Sequence, residues 1–119
     1  MKRKQSLSQA FKNAFSGIVY CLLHERNMKI HMAAAFFAGG LAWWLQLDDD
    51  KILVLLVTIS SVLVAEMVNT VVEKVVDMVS PEVHPLAKIA KDVAAGAVLI
   101  TAIISLIVGY ILFWKKIWT

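Results

Sequence analysis

An uncharged and strongly apolar run covers residues 93–113, and a second one covers residues 52–65. A helix needs about 20 apolar residues to cross the hydrocarbon core of a bilayer. The run at 93–113 reaches this length, and the shorter run continues into a helix with acidic residues on one face. Because 60% of the residues are hydrophobic, against roughly 45–50% in soluble domains, we expect one membrane domain over residues 1–119.

Breaks in the chain divide it into three predicted transmembrane helices. Trp43 and Trp44 close the first, as aromatic residues do at a membrane–water interface, and acidic residues 48–50 form the turn that follows. Pro81 and Pro85 separate the second helix from the third, since proline is disfavoured inside a helix. The predicted spans cover residues 28–47, 52–78 and 87–114.

Residues 1–27 have apolar side chains at helical spacing with polar side chains between them. This pattern predicts an amphipathic helix that lies in the membrane interface and ends in a charged hinge. Most of the 12 lysines and arginines fall on the side of the N-terminus and of the loop between the second and third spans. The positive-inside rule therefore places the N-terminus and that loop in the cytoplasm. The predicted fold is an all-α integral membrane domain, with an N-terminal amphipathic interfacial helix and three transmembrane helices.

Four polar residues share one face of the second predicted span. They are Glu66, Asn69, Glu73 and Asp77. At about 100° per residue, they fall within roughly 80° of the helix circumference. Such a stripe is usually the solvated face of a soluble helix, but the composition disfavours that interpretation here. An ionisable side chain at the centre of a membrane helix costs about 2.5–3.5 kcal/mol on insertion scales, so the stripe predicts a functional site.

The residue types on the cytoplasmic side are those that bind a divalent cation and phosphates. Glu25 and Glu73 are candidate ligands for Mg²⁺, which usually takes one or two protein carboxylates and shares its other positions with water and substrate phosphates. Lys91 is suited to a phosphate oxygen, and Asp92 is a candidate to orient that lysine or to contact the nucleotide base or ribose. Glu66, two turns deeper than Glu73, is a candidate base for a lipid hydroxyl.

Several other functions are disfavoured by what the sequence lacks. The basic residues cluster at the membrane edges, so no nucleic-acid partner is expected. There is no Walker-type phosphate loop, no protein-kinase glycine-rich loop and no cysteine–histidine zinc spacing. Asn69 stands where a di-iron bundle needs a histidine three residues after Glu66. His31 is a candidate proton relay, but a histidine at the interfacial start of a helix is more often solvated, and we expect the same here.

Three segments of the chain resemble the bacterial integral-membrane diacylglycerol kinase family. They are ERN at residues 25–27, AEMVNTVVEKVVD at residues 65–77 and HPLAKIAKDVAAGAV at residues 84–98, and the resemblance extends over residues 11–114. The first segment and the beginning of the third are more similar to the undecaprenol kinase branch of the family. The chain departs from the diacylglycerol branch at His31, where that branch carries an acid, and in the substrate contacts of the first helix.

The resemblance implies a role for residues in each of these segments. Glu66 is expected to be the catalytic base with Asn69 beside it, and Glu25 and Glu73 are expected to bind the metal. The implied nucleotide-binding residues are Glu25, Glu73, Asp77, Glu82, His84, Lys91 and Asp92, of which Asp77 has a supporting role. The lipid substrate is expected to contact Trp44, Glu66 and Ala95.

The resemblance also implies a homotrimer with composite active sites at subunit boundaries, in the bacterial cytoplasmic membrane. The expected reaction is transfer of the γ-phosphoryl group of MgATP to undecaprenol, giving undecaprenyl phosphate, with diacylglycerol giving phosphatidic acid as the alternative. Two other classes remain open. One is a small multidrug-type transporter, for which a fourth span and an acid within the first span are missing. The other is a membrane scaffold whose carboxylates only pair with Lys88 and Lys91.

Overall fold

The structure is a computed structural model that describes residues 4–118, and these residues are helical almost throughout. The helices are α1 (Leu7–His24), α2 (Arg26–Trp44), α3 (Asp49–Val79), α4 (Pro85–Gly109), a π-helical segment (Tyr110–Trp114) and a last turn, α5 (Lys115–Trp118). None of the described residues forms a β-strand, so the prediction of an all-α fold is confirmed. Lys2 and Arg3, which entered the orientation argument, and the ends of the predicted 1–119 domain lie outside the described residues.

A single extended residue, Glu25, separates α1 from α2. α1 begins at Ser6, whose hydroxyl accepts a hydrogen bond from the Gln9 backbone N–H at 3.1 Å and so caps the helix. At Glu25 the backbone is extended (φ −110°, ψ 116°), and its N–H bonds to the carbonyl of Cys21 at 3.0 Å. The break turns α2 away from α1 and leaves the Glu25 side chain beside α3.

α2 ends in a Schellman motif that anchors the turn into α3. The Leu47 N–H bonds to the Ala42 carbonyl at 3.1 Å, and the Gln46 N–H bonds to the Trp43 carbonyl at 3.2 Å. Gln46 has φ 54°, a left-handed conformation that usually requires glycine or asparagine. Ala42 and Leu47 are both buried, so the motif contributes to a small apolar core at this end of the molecule.

A short loop at residues 80–84 connects α3 to α4, which returns along α3 and makes the most extensive helix contact in the chain. The side chain of His84 caps α4 by accepting from the Leu86 N–H at 3.1 Å. Pro85 then occupies the first turn, where a missing N–H costs nothing. These local signals explain why α4 begins at Pro85.

Two helices are long and apolar enough to cross a membrane within residues 4–118: α3, with 31 residues, and the continuous stretch Pro85–Trp118, with 34. Their large apolar side chains are mostly exposed, as expected for surfaces that face lipid. α2, the first span predicted at residues 28–47, has 19 residues and is not one of these two. Polar groups at Arg26, Lys29 and His31 lower its apolar character, so the span at 28–47 stays a prediction.

Candidate active site

The polar stripe of α3 runs from the interior of the protein to its surface. Glu66 is 2% exposed and Asn69 is buried, whereas Glu73 is half-buried and Asp77 is exposed. The helix is unbroken through all four residues. At 1.5 Å per residue, Glu66 lies about 10 Å deeper than Glu73 and about 20 Å from the end of α3 at Val79. The stripe therefore connects an apolar interior with a water-accessible end.

Thr70 joins the α1–α2 break to this stripe. Its hydroxyl lies 3.2 Å from Glu25 Oε1 and 3.0 Å from the Glu66 backbone carbonyl, so its single hydrogen is shared between two acceptors. Thr70 is buried, and through it the Glu25 carboxylate is held beside the stripe. Thr70 was not among the predicted site residues, although its position four residues after Glu66 places it on the same helix face.

Two buried oxygens of the stripe lack a hydrogen-bond partner among residues 4–118: Glu66 Oε2 and Asn69 Oδ1. The Asn69 Nδ2 group is occupied, since it donates to Glu73 Oε1 at 2.7 Å. Most buried polar atoms in proteins are hydrogen-bonded, so two free acceptors about one turn apart need an explanation. A substrate hydroxyl or a water that donates to them is the simplest one.

His31 lies against Glu66, which differs from the solvated histidine that the sequence predicted. Its Nε2 atom is 3.8 Å from Glu66 Oε2, and its side chain is only 19% exposed. The reason is the rotation of α2 about its own axis, because Met28, three residues earlier, is buried and shares that face. A large apolar residue at this spacing was the signal that could have placed His31 on the inner face.

The two predicted metal ligands, Glu25 and Glu73, each accept one hydrogen bond from a neutral side chain and keep other lone pairs free. Thr70 holds Glu25 beside the stripe, and Glu73 lies two turns along α3 from Glu66, so the three carboxylates border one region of the molecule. In the part of the chain that the structure describes, no three His, Cys, Asp or Glu side chains form a ready metal cluster. This donor set fits Mg²⁺ that arrives with substrate phosphates, since that ion needs only one or two protein carboxylates.

A polar pocket of about 250 Å³ lies where α3 ends and α4 begins, around the loop that connects them. Five of the predicted nucleotide-binding residues line it together: Asp77, Glu82, His84, Lys91 and Asp92. The chain thus collects these side chains from the end of one helix, a loop and the start of the next. An exposed pocket with both charge signs is a suitable place for a polar, water-soluble ligand.

The ion pairs in this pocket differ from the one that the sequence suggested. Lys91 Nζ donates to Asp77 Oδ1 at 2.6 Å and so links α4 to α3, while Asp92 accepts from Lys88 Nζ at 2.6 Å within α4. Asp92 therefore orients Lys88, and Asp77 orients Lys91. The Asp92–Lys88 pair has the (i, i+4) spacing that favours contact on one helix, whereas the other pair depends on helix packing.

The predicted lipid-contacting residues do not converge on one point. Trp44 lies 13 residues beyond His31 on α2, so it is about 20 Å further along the helix, next to a cavity lined by Gln46 and Leu47. Ala95 is on an exposed part of α4, adjacent to the buried Ala94. A single ligand that contacts both Glu66 and Trp44 would therefore have to extend about 20 Å along α2.

Comparison with known proteins gives one consistent result. The model of the prokaryotic diacylglycerol kinase family matches residues 12–113. A diacylglycerol kinase from Synechocystis sp. is 41% identical over 105 residues, which cover 87% of this chain but only 60% of that protein. An undecaprenol kinase from Bacillus subtilis is 36% identical over 92% of this chain and 89% of its own length. A diacylglycerol kinase from Escherichia coli is 31% identical over 86% of this chain and 84% of its own length.

These matches agree with the arrangement of the candidate site, in which acidic side chains lie between a polar pocket and an apolar interior. They include most of α1 and all of α2 and α3, together with α4 and the π-helical segment to Phe113. The chain belongs to the prokaryotic diacylglycerol kinase family and is an ATP-dependent lipid kinase.

Proposed function

We propose that this chain transfers the γ-phosphoryl group of MgATP to the hydroxyl group of undecaprenol, giving undecaprenyl phosphate. The observation that carries the proposal is the buried Glu66 carboxylate, whose Oε2 atom is without a hydrogen-bond partner among residues 4–118. A carboxylate in this state, within a helix long and apolar enough to span a membrane, is placed to accept a proton from a lipid alcohol.

In the proposed reaction, the acceptor oxygen attacks the γ-phosphorus while its proton passes to Glu66. The bond between the γ-phosphorus and the β,γ-bridging oxygen breaks, and ADP leaves with the bonding electron pair. Phosphoryl transfer depends mainly on positioning and on neutralisation of charge. Glu25 and Glu73 would hold the Mg²⁺ that accompanies the nucleotide, which offsets the repulsion among three carboxylates. The lone pair of Asn69 Oδ1 is available to the acceptor hydroxyl.

The nucleotide is assigned to the polar pocket around the loop between α3 and α4. Lys91 is the point charge for a phosphate oxygen, and Asp77 fixes its position from the neighbouring helix. Glu82, His84 and Asp92 complete the lining on the loop side. The pocket includes Asp77 at the outer end of the stripe, one turn beyond Glu73, so a nucleotide bound there would extend its phosphates toward the metal ligands.

Undecaprenol is proposed as the acceptor because residues 25–27 and the beginning of the segment at 84–98 are most similar to the undecaprenol kinase branch. The Bacillus subtilis relative bears that name, and its alignment covers most of both chains. Diacylglycerol is the second candidate, since the Synechocystis relative with 41% identity is called a diacylglycerol kinase. The two candidates share the reaction and differ only in the lipid alcohol.

The proposal includes a homotrimer in the bacterial cytoplasmic membrane, with the N-terminus and the loop at 80–84 in the cytoplasm. In the single chain, Glu73 is half-buried and Asp77 is exposed, so the outer half of the stripe is incompletely covered. A neighbouring subunit is a suitable cover, and a composite site at the subunit boundary follows from it. α2 is proposed to cross the membrane together with α3 and α4 in this arrangement.

The test is a transfer assay with the purified protein in lipid nanodiscs and ATP labelled at the γ-phosphate. Three nanodisc preparations are compared, each with and without Mg²⁺. Two contain undecaprenol or diacylglycerol at the same mole fraction, and the third contains no added alcohol. Mg²⁺-dependent labelling of undecaprenol above that of diacylglycerol is expected. Preference for diacylglycerol would replace the acceptor assignment, and failure to label any lipid alcohol would overturn the proposed function.

A further inference from the structure

Two side chains of α3, Thr70 and Lys74, contact the end of α1. They are four positions apart, so they lie on the same face of α3, one turn from each other. The Thr70 hydroxyl lies 3.2 Å from Oε1 of Glu25, the residue at which α1 ends. The Lys74 Nζ atom lies 5.6 Å from the centre of the Tyr20 ring, in the last turns of α1. The two contacts together hold the α1–α2 break against α3.

The Tyr20 ring that Lys74 contacts is itself fixed within α1. It stacks on the His24 ring, with 4.4 Å between the ring centroids and 22° between the planes. The His24 Nδ1 atom lies 3.0 Å from the Tyr20 carbonyl oxygen, which holds the imidazole beside the preceding turn. Lys74 therefore contacts a stacked aromatic pair, and this gives the cation–π contact a defined geometry.

The Thr70 hydroxyl has a hydrogen to donate to Glu25. The Glu66 carbonyl, 3.0 Å from the hydroxyl, already accepts the α-helical hydrogen bond from the Thr70 backbone N–H, so it does not require a second donor. A neutral donor also leaves the negative charge of Glu25 uncompensated, whereas a lysine or arginine in the same place would offset the charge that attracts a cation. Glu25 Oε2 and one lone pair of Oε1 remain for that cation.

We propose that Thr70 is a positioning residue for the metal site, whose hydroxyl fixes the direction of the Glu25 carboxylate. The contact between Lys74 and Tyr20 keeps the end of α1 in place. Because Mg²⁺ requires nearly octahedral geometry, a displaced carboxylate binds it less well. This inference rests on the proposed function, in which Glu25 and Glu73 hold Mg²⁺. It goes further because it makes the docking of α1 on α3 a condition for metal binding.

The first experiment compares Thr70→Val and Thr70→Ser with the parent. Valine has the shape of threonine without the hydroxyl, whereas serine keeps the hydroxyl. The readout is the affinity for Mn²⁺, a paramagnetic substitute for Mg²⁺ with similar oxygen ligands, measured by electron paramagnetic resonance with a non-hydrolysable ATP analogue. We expect Thr70→Val to weaken Mn²⁺ binding roughly 3- to 10-fold, the equivalent of one hydrogen bond, and Thr70→Ser to stay within about twofold of the parent.

Thr58→Val is the matched control for this comparison. The Thr58 hydroxyl donates to the Val54 carbonyl at 2.7 Å, which is the same kind of bond that the Thr70 hydroxyl makes to the carbonyl four residues before it. Thr58 lies about 18 Å from Thr70 along α3, toward the other end of the helix. Thr58→Val should leave the Mn²⁺ affinity unchanged. Parent-like affinity in Thr70→Val, or an equal loss in Thr70→Ser, would overturn the assignment.

The second experiment measures the docking of α1 without metal, nucleotide or turnover. Cys21 is the single cysteine of the chain and is buried one turn before Glu25, so its rate of alkylation by a maleimide reports how often the end of α1 detaches. Thr70→Val and Glu25→Ala should each raise this rate severalfold. The double variant should not exceed the faster single one, since each change removes the same contact. Additive effects would show that the two residues act separately and would refute the inference.

The same assay tests the contact between Lys74 and Tyr20. Lys74→Met should raise the alkylation rate about 2- to 5-fold, whereas Lys74→Arg, which keeps a cation near the ring, should leave it near that of the parent. A parent-like rate in Lys74→Met would remove this contact from the proposal. Glu25 is only half-buried, so Glu25→Ala keeps the assignment testable if Thr70→Val does not fold, and a parent-like rate in Glu25→Ala would then overturn it.

The outcomes separate this inference from the proposed function. If the parent labels no lipid alcohol, the proposed function fails, whatever the alkylation rates are. If the parent is active and Thr70→Val binds Mn²⁺ as the parent does, the positioning role of Thr70 alone fails.

Discussion

The replacement Glu66→Gln tests the centre of the proposed mechanism. Glutamine has nearly the same shape as glutamate, so it preserves the packing of a residue that is 2% exposed while removing the capacity to accept a proton. General-base assistance is typically worth about 10²- to 10⁴-fold, which corresponds to about 2.7–5.4 kcal/mol of transition-state stabilisation. We expect kcat to fall by at least the lower of these factors.

Binding of the nucleotide and of Mg²⁺ should survive in the same variant. Glu73, the proposed metal ligand, lies about 10 Å from Glu66 along α3, and the polar pocket is further still. Stability should not fall, because an amide costs less than a carboxylate to bury in an apolar environment. The measurements are kcat with γ-labelled ATP, nucleotide affinity by calorimetry, and unfolding in detergent.

A matched control for this replacement is available at the other end of the same helix. Asp49 lies in the first turn of α3, 17 residues from Glu66, so Asp49→Asn makes the same chemical change away from the site. It should leave kcat near that of the parent. If Glu66→Gln keeps more than about a tenth of the parent activity, the base assignment is wrong, and Glu66 would be a structural partner within the assembly.

Three further changes test other parts of the structure. Glu25→Gln and Glu73→Gln should each raise the Mg²⁺ concentration needed for half-maximal activity and lower turnover, and unchanged Mg²⁺ titrations in both would contradict the metal assignment. Lys91→Met should raise KM for ATP much more than KM for the lipid, because it removes the point charge proposed to bind a phosphate oxygen. Stability should change little, since the exposed ion pair with Asp77 contributes at most about 1 kcal/mol. A selective rise in lipid KM would instead assign Lys91 to the acceptor side. Gln46→Gly should raise the free energy of unfolding by about 1 kcal/mol, since glycine adopts φ 54° without strain. The measurement is an unfolding titration in detergent. A decrease would show that the glutamine side chain stabilises the turn.

The helical architecture was predictable because its signals are local. Apolar runs, prolines and aromatic ends lie in the sequence itself, and the helix expected at 52–78 is observed as Asp49–Val79. The same is true of the stripe on α3, since four residues at fixed spacing on a continuous helix must share a face. The loop between α3 and α4 also keeps Asp77, Glu82 and Lys91 close, so their meeting in one pocket needs only a helical hairpin.

Contacts that depend on how helices pack were not predictable in the same way. The partner of Lys91 is Asp77 on another helix rather than Asp92 next to it in sequence, and the choice depends on the packing of α4 against α3. His31 was expected in solvent and instead faces Glu66, because the rotation of α2 about its axis is set by tertiary contacts. A polar residue near a helix end carries little information about which face the helix will bury.

The depth of Glu66 follows from the physical difference between the two substrates. A nucleotide needs a polar, water-accessible pocket, and the alcohol of a membrane lipid cannot move far from the hydrocarbon boundary without exposing its chain. A single helix satisfies both conditions when its polar residues become progressively more buried, as those of α3 do from Asp77 to Glu66. In the proposed reaction, the acid at the buried end meets the lipid hydroxyl, and the acid two turns nearer the surface meets the metal and phosphates. Exchanging these depths would place the proton acceptor in water and the metal in hydrocarbon, where each would be less effective.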